Sequence, residues 1–133
     1  DGQACLQAGA ADKQTTLGSA VILVPGADVS VADDTAGQRT FYGQCSDEDR
    51  VLARMLRVPQ HKEPISTPIH WTQERFGSVP RRYIECLKDR AIGIDHQRAM
   101  QAKFDCPVMA SLDTDHSPFF SDPEALVAVL ADL

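Results

Sequence analysis

The chain has 133 residues, of which 43% are hydrophobic and 24% charged, and its formal net charge is -6. This length and composition are those of one ordinary globular domain, and the acidic balance argues against a nucleic-acid partner. No apolar run approaches the roughly 20 residues that span a bilayer, and the first residues lack the regions of a signal peptide, so we expect no membrane partner. Four cysteines without a C-x-x-C pair favour reduced thiols and a cytoplasmic location.

Residues 1–78 predict a mostly helical region with one small β-hairpin. A short helix is expected in GQACLQAGAADKQ, and the β-rich runs AVILV and VSV flank the turn residues PGAD, which predicts the hairpin. Asp33 and Asp34 are an N-terminal signal for a helix through AGQRTFYGQC. Ser46 and Asp49 have the spacing of a capping box and open the next helix, DEDRVLARMLR. The proline-rich segment PQHKEPISTPIHW is expected to be extended and irregular.

Residues 79–133 have a different pattern. They predict a strand from Val79 to Leu87, a helix in IDHQRAMQAKF, a strand in CPVMASL and a terminal helix in DPEALVAVLADL with Asp122 as its cap. This βαβα alternation is typical of a parallel sheet with helical cover. Because two buried parallel strands need neighbours, we expect strands from another polypeptide, or from a second copy in a homodimer, to complete the sheet.

Two polar residues follow the two strands of this second region. Asp89 comes after the first strand and His116 after the second, so both are expected on the rim where parallel strands end. A carboxylate placed there can hold an imidazole in one tautomer and stabilise its protonated form. The nearby acids Asp113 and Asp115 are expected to be solvated loop residues. The alternative, a metal site, lacks a second well-spaced histidine or cysteine ligand, so we expect no metal.

Several segments of the chain carry a resemblance to a known family. They are FYGQCSDEDRVLARMLRVP, TQERFGSVPRRYIECLKDRAIG, HQRAM and LDTDHSPFFSDPEAL. Together they resemble one branch of the α/β-hydrolases: the plant-type methyl ester esterases, the related hydroxynitrile lyases and their bacterial esterase homologues. The order of acid and then histidine is also that of the α/β-hydrolase triad.

The resemblance implies a fold class and a set of site residues. The fold would be α/β, with residues 1–78 as a mostly helical cap and 79–133 as the last strands and helices of an α/β-hydrolase core. Asp89 would be the triad acid and His116 the general base, with no cofactor. Ser117 stands where the lyases have a lysine, which favours an esterase. Tyr42 and Ser117 are the candidate substrate-pocket residues.

One departure from the family pattern decides how the function is stated. No G-x-S-x-G elbow and no H-G oxyanion loop occur in the chain. The resemblance therefore implies that the nucleophile-bearing N-terminal half is absent from this chain, which alone would be inactive. We expect the C-terminal portion of a serine esterase that acts by acyl transfer on a small apolar or aromatic ester, with the missing half or a second chain as partner. The alternatives are a non-catalytic relative that binds a small molecule or a partner, and an interaction module built on the exposed sheet edge.

Overall fold

The computed structural model describes residues 2–104 and 106–132, apart from the side chain of Leu6. Asp1 and Leu133, which are the outer ends of the two predicted regions, and Asp105 lie outside the described residues. In the part that is described, no helix is long and apolar enough to cross a bilayer.

The described residues of the first region form five short α-helices, a 3-10 helix at Phe76–Ser78 and an antiparallel sheet. Its elements are α1 (Cys5–Gly9), α2 (Leu17–Ala20), β1 (Val21–Leu23), β2 (Val29–Ala32), α3 (Ala36–Phe41), α4 (Asp47–Leu56), β3 (Gln60–His61) and α5 (Glu63–Ser66). Strands β1 and β2 form the predicted hairpin, with Val21 opposite Ala32. The region that follows α4 is more regular than predicted, because β3 pairs with the free edge of β2. Pro64 lies in the first turn of α5, where a helix tolerates proline.

The helices α3 and α4 begin at the residues that the sequence indicates. The Asp33 carboxylate accepts hydrogen bonds from the backbone N–H groups of Thr35 and Ala36, at 2.8 and 2.6 Å. Both bonds lower the pKa of Asp33, and the bond from Ala36 has the larger effect. Ser46 caps α4 by accepting from the Asp49 backbone N–H at 3.1 Å. The prediction of both helix starts is confirmed.

The second region has the predicted strand–helix–strand–helix order. Its elements are β4 (Tyr83–Cys86), α6 (Ile94–Phe104), β5 (Val108–Leu112), α7 (Pro118–Ser121) and α8 (Pro123–Ala131). Strands β4 and β5 are parallel, with Cys86 opposite Leu112, and Asp122 caps α8 by accepting from the Ala125 N–H at 3.1 Å. Strand β4 is shorter than predicted, because Pro80 near its expected start has no N–H to donate to a neighbour. The single turn α7 was not predicted.

The two regions pack together through aromatic side chains. The Trp71 ring lies 5.7 Å from the ring of Phe76 and 5.7 Å from that of Phe104, in edge-on arrangements. Because Phe104 ends α6, this contact attaches the chain before β4 to the outer end of the crossover helix.

The interior of the chain is small and polar. The buried hydrophobic residues among those described are Ala4, Ala20, Cys45, Ala53, Ala91 and Leu112. Two of the largest fully buried side chains are Gln97 and Asp115, whereas Met55 is 78% and Val58 80% exposed. Large aliphatic side chains are more often buried in an independently folded domain.

A buried carboxylate joins the two parallel strands to α6. Glu85 has a side chain only 4% exposed, and Arg98 donates to its two oxygens at 3.0 and 3.3 Å. Ser111 on the neighbouring strand donates to Glu85 at 2.7 Å. The Arg98 and Ser111 hydrogen bonds hold the pKa of Glu85 below its usual 4.5. The charged form of Glu85 therefore stabilises the sheet.

Replacing this carboxylate, as in Glu85→Gln, is expected to lower the free energy of unfolding by about 1.5–3 kcal/mol at neutral pH, because charge-assisted hydrogen bonds are lost. The folded pKa of Glu85 is depressed, so its contribution is present above the unfolded pKa and is lost as the pH falls through the folded pKa. Urea unfolding over a pH series checks this: the difference in the free energy of unfolding between wild type and variant should disappear as the pH falls.

The exposed Glu74 offers a matched control. Glu74→Gln removes the same charge from the surface and should leave the urea midpoint nearly unchanged. If the difference in the free energy of unfolding between wild type and Glu85→Gln stays constant as the pH falls, the ionisation of Glu85 does not stabilise the fold.

Candidate active site

Asp89 lies in a tight turn directly after β4. Its Oδ1 atom accepts from the backbone N–H groups of Ala91 and Ile92, at 2.7 and 2.9 Å. The side chain is 7% exposed. Short polar side chains favour such turns because they bond to the backbone two or three residues on. The turn fixes the carboxylate and leaves its second oxygen available to another loop.

His116 follows β5 and meets that second oxygen. The distance from His116 Nδ1 to Asp89 Oδ2 is 3.0 Å, so the structure has the contact that strand order predicts. An ionised carboxylate only accepts, which assigns the proton of the neutral ring to Nδ1 and leaves the Nε2 lone pair able to take a proton. With its side chain 36% exposed, His116 can act as a general base on a group placed next to it.

An aromatic residue at the end of α3 packs against the same imidazole. The rings of Phe41 and His116 have centroids 5.5 Å apart and are tilted by 58°. From the sequence, Phe41 is predicted as an apolar core residue beside a possible pocket, but an apolar residue in an amphipathic helix carries no sign that it will contact His116. The contact brings the region before β4 onto the histidine.

A pocket of about 360 Å³ opens beside His116. Tyr42 and Ser117, the two predicted pocket residues, both lie in its wall, with Phe41 and Phe119. The full lining also includes Val21, Ser30, Val31, Ala32, Arg57, Val58 and Gln60. The wall mixes seven apolar or aromatic residues with five polar ones, so it offers both apolar surface and hydrogen-bonding groups to a small molecule.

Arg57 is an unpredicted charged group in this wall. Its Nη2 donates to Asp34 Oδ1 at 2.9 Å, so an ion pair balances its charge. The sequence contained a weak signal: Arg57 lies one turn beyond Ala53, which is the buried residue of α4.

The prediction that Asp115 is a solvated loop acid is wrong. Asp115 is only 1% exposed to solvent. It accepts from the backbone N–H groups of Gln44 and Ser117, at 2.7 and 2.9 Å, and from the Ser121 hydroxyl at 3.0 Å. These bonds replace the hydration that burial removes. The spacing Asp-x-Ser, which favours a turn closed by the acid, was the available signal.

The neighbouring acid Asp113 is on the surface, as predicted. It is 71% exposed and pairs with Lys88 Nζ at 2.6 Å. Within the described ranges, no three histidine, cysteine or acidic side chains are arranged to hold a metal ion.

The cysteines near the site are poor nucleophiles. Burial, followed by the charge of Asp115, raises the pKa of the Cys45 thiol to about 12. Burial also raises the pKa of Cys86. Since the thiolate is the reactive form, these raised pKa values disfavour a cysteine–histidine nucleophile pair.

The turn of Asp89 is held by a segment far away in sequence, which we call the strap (residues 12–16). Gly93 N–H donates to Asp12 Oδ2 at 2.6 Å, and the Gln14 side chain bonds to both the backbone and the carboxylate of Asp95. The Thr15 hydroxyl donates to the Ala91 carbonyl at 2.8 Å. The sequence analysis did not predict the strap, because contacts between loops leave no periodic pattern.

Gly93 lies where the strap approaches most closely, and a Cβ there would collide with Gln14 and Asp12. We expect Gly93→Ala to lower the free energy of unfolding by about 1–3 kcal/mol, as overpacked buried sites do. We also expect it to displace the turn of Asp89. Thermal unfolding and the NMR resonances of Ala91 and Ile92 would measure the two effects.

Gly18 provides the control, because a Cβ there would meet nothing within 4 Å. Gly18→Ala in α2 should leave stability unchanged or slightly raised. Equal effects of the two substitutions would rule out a specific role for the strap.

No protein-family model matches the chain, but individual known proteins are similar to it. The chain is 38% identical over 96 residues to methylesterase 7 of Arabidopsis thaliana, covering 70% of this chain and 37% of that protein. It is 36% identical over 96 residues to the pyrethroid hydrolase of Sphingobium wenxiniae, covering 71% and 34%. The solved pyrethroid hydrolase of Sphingobium faniae JZ-2 matches with a TM-score of 0.68 and 31% identity, over 86% of this chain and 46% of that one.

The fold and these matches define a chain of the α/β-hydrolase class, as the resemblance predicts. Within that class, the chain is a homologue of the methylesterases and the pyrethroid hydrolases. It spans about a third of the length of these curated relatives. The division into a cap at 1–78 and a core at 79–133 stays a prediction.

Proposed function

We propose that this chain is the C-terminal portion of a serine esterase and supplies the acid and the base of a catalytic triad. The observation that carries the proposal is the 3.0 Å contact between His116 Nδ1 and Asp89 Oδ2, with the Asp89 turn braced by backbone hydrogen bonds. Homology to methylesterases supports the reaction class. The serine and the oxyanion hole come from outside this chain.

The reaction is acyl transfer. Nε2 of His116 removes the proton from the serine as the serine oxygen attacks the ester carbonyl, and then donates that proton to the leaving alcohol. A water molecule, deprotonated by the same imidazole, hydrolyses the acyl-enzyme and regenerates the serine. Asp89 fixes the ring and stabilises the imidazolium that forms in each half-reaction. This chemistry needs no cofactor.

The pocket sets the substrate class that we propose, a small apolar or aromatic ester. Its volume of about 360 Å³ suits a small ligand, and the aromatic residue Tyr42 is part of its wall. Ser117 at the pocket wall, where the resembling lyases have a lysine, favours ester hydrolysis over cyanide chemistry.

The partner in this proposal is the remaining part of a hydrolase, either on the same polypeptide or on a second chain. The exposed side chains Val51, Met55 and Val58 support it, since covering them would stabilise an assembled domain through burial of apolar surface. A homodimer is the alternative way to cover them. We also propose a cytoplasmic location, because four free cysteines suit a reducing compartment.

A second candidate function is a binding protein without catalysis. The observation that favours it is a formed pocket in a chain that contains no G-x-S-x-G serine. Such a protein would use the same pocket walls, and His116 would have no serine to deprotonate.

The test joins this chain to the part of methylesterase 7 that it does not match, and measures hydrolysis of p-nitrophenyl acetate. We expect no turnover by the 133-residue chain alone, and turnover by the chimera that a serine-directed phosphonate stops. His116→Ala and Asp89→Asn in the chimera should reduce kcat by about four orders of magnitude or more.

Asp113→Asn is the matched control, because it removes an exposed acid from the same loop as His116. It should retain nearly all activity. If the His116→Ala chimera folds, is labelled by the phosphonate and keeps the kcat of the unsubstituted chimera, the assignment of His116 as the base is refuted. A folded chimera that binds p-nitrophenol but never turns over would support the binding protein.

A further inference from the structure

The carboxylate of Asp115 connects two loops that are distant in sequence. Oδ2 faces the loop after α3, where it accepts from the Gln44 N–H at 2.7 Å and contacts the Cys45 thiol at 3.6 Å. Oδ1 faces the loop of His116, where it accepts from the Ser117 N–H at 2.9 Å and the Ser121 hydroxyl at 3.0 Å. Each oxygen thus serves one loop.

Asp115 and Ser117 are the two backbone neighbours of His116. Both are buried, at 1% and 2% exposure, and a hydrogen bond joins them across the histidine. The direction in which His116 leaves the backbone therefore depends on how Asp115 is held. The imidazole reaches Asp89 at the end of a different strand, so a small rotation of this turn would move Nδ1 out of hydrogen-bonding range.

The short segment from Phe41, the last residue of α3, to Gln44 contacts the His116 loop in two places. Phe41 packs on the imidazole ring, and three residues later Gln44 donates to Asp115. The ring and the backbone of the histidine are therefore both in contact with one short segment of the region before β4.

We propose that Asp115 is a positioning residue: it sets the His116–Asp89 geometry by binding the His116 loop to residues 44–45. This inference rests on the proposed function, in which that geometry is catalytic. It predicts that the tautomer and exposure of the imidazole depend on a carboxylate that never touches it.

Asp115→Asn tests this at nearly constant volume. The asparagine side chain has one oxygen and one NH₂ group. Whichever way it is oriented, the NH₂ group faces the backbone N–H of either Gln44 or Ser117, so that N–H loses its acceptor. Asp113→Asn removes an equal charge from the exposed part of the same loop and serves as the control. The measurement is ¹⁵N NMR of the imidazole of His116 in the 133-residue chain, with the amide spectrum reporting the fold.

In wild type and Asp113→Asn, we expect the Nδ1–H tautomer and a slowly exchanging Nδ1 proton. In Asp115→Asn, the Nδ1–H tautomer should lose population, and its proton should exchange about 10- to 100-fold faster, as for loss of a charge-assisted hydrogen bond. A purely structural role would lower stability without changing the tautomer of the molecules that remain folded. A folded Asp115→Asn with a wild-type imidazole overturns the proposal.

Ser121→Ala decides the question if Asp115→Asn does not fold. It removes only the hydroxyl that donates to Oδ1, and should shift exchange of the Nδ1 proton in the same direction by a smaller factor. No change in that variant also overturns the proposal. None of these measurements involves ester turnover, so the proposed function can fail in the chimera assay while the positioning role holds, and the reverse.

Discussion

The hydrogen bond between His116 and Asp89 is the constraint that both loops of the candidate site must satisfy. Its two residues lie at the ends of adjacent parallel strands, and the bond forms only if both loops hold their shape. Each loop is fixed by a buried carboxylate that accepts backbone N–H groups: Asp89 closes its own turn, and Asp115 closes the turn of His116. A carboxylate suits this task because it has several acceptor sites and needs no rotation of a proton.

Polar contacts, more than apolar packing, hold the described part of the chain together. Glu85 with Arg98 binds the sheet to α6, the strap binds the turn of Asp89, and Gln97 is fully buried against the backbone. Hydrogen bonds of this kind give direction but modest net stability. Large apolar residues such as Met55 lie at the surface instead. This distribution is what one expects of a part of a fold whose apolar faces are shared with another part, and it matches the extent of the homology.

The sequence predicted well those features that local chemistry decides. The starts of α3, α4 and α8 follow from Asp33, Ser46 and Asp122, because a capping side chain acts within a few residues of itself. The meeting of Asp89 and His116 also followed from position alone, since both residues end parallel strands. Tyr42 and Ser117 line one pocket, and their role toward a substrate stays a prediction. The triad roles themselves entered through the family resemblance and await the assays.

The features that the sequence did not predict depend on distant partners. An acid in a polar loop gives no sign that Gln44 will donate to it, so Asp115 was expected in solvent although it is buried. Strand β3 required the open edge of β2, and the contact of Phe41 with His116 required the packing of the two regions.

The strap has a consequence for the way the chain folds. Asp12 and Gly93 are 81 residues apart, so their contact closes a long loop, and the entropy of that closure must be overcome before the contact contributes any stability. Contacts of this separation slow folding, whereas the hairpin of β1 and β2 can form locally. The contacts of the strap are therefore expected to form after the hairpin, so the turn of Asp89, which its own backbone hydrogen bonds close locally, gains the support of residues 12–16 only in a later step of folding.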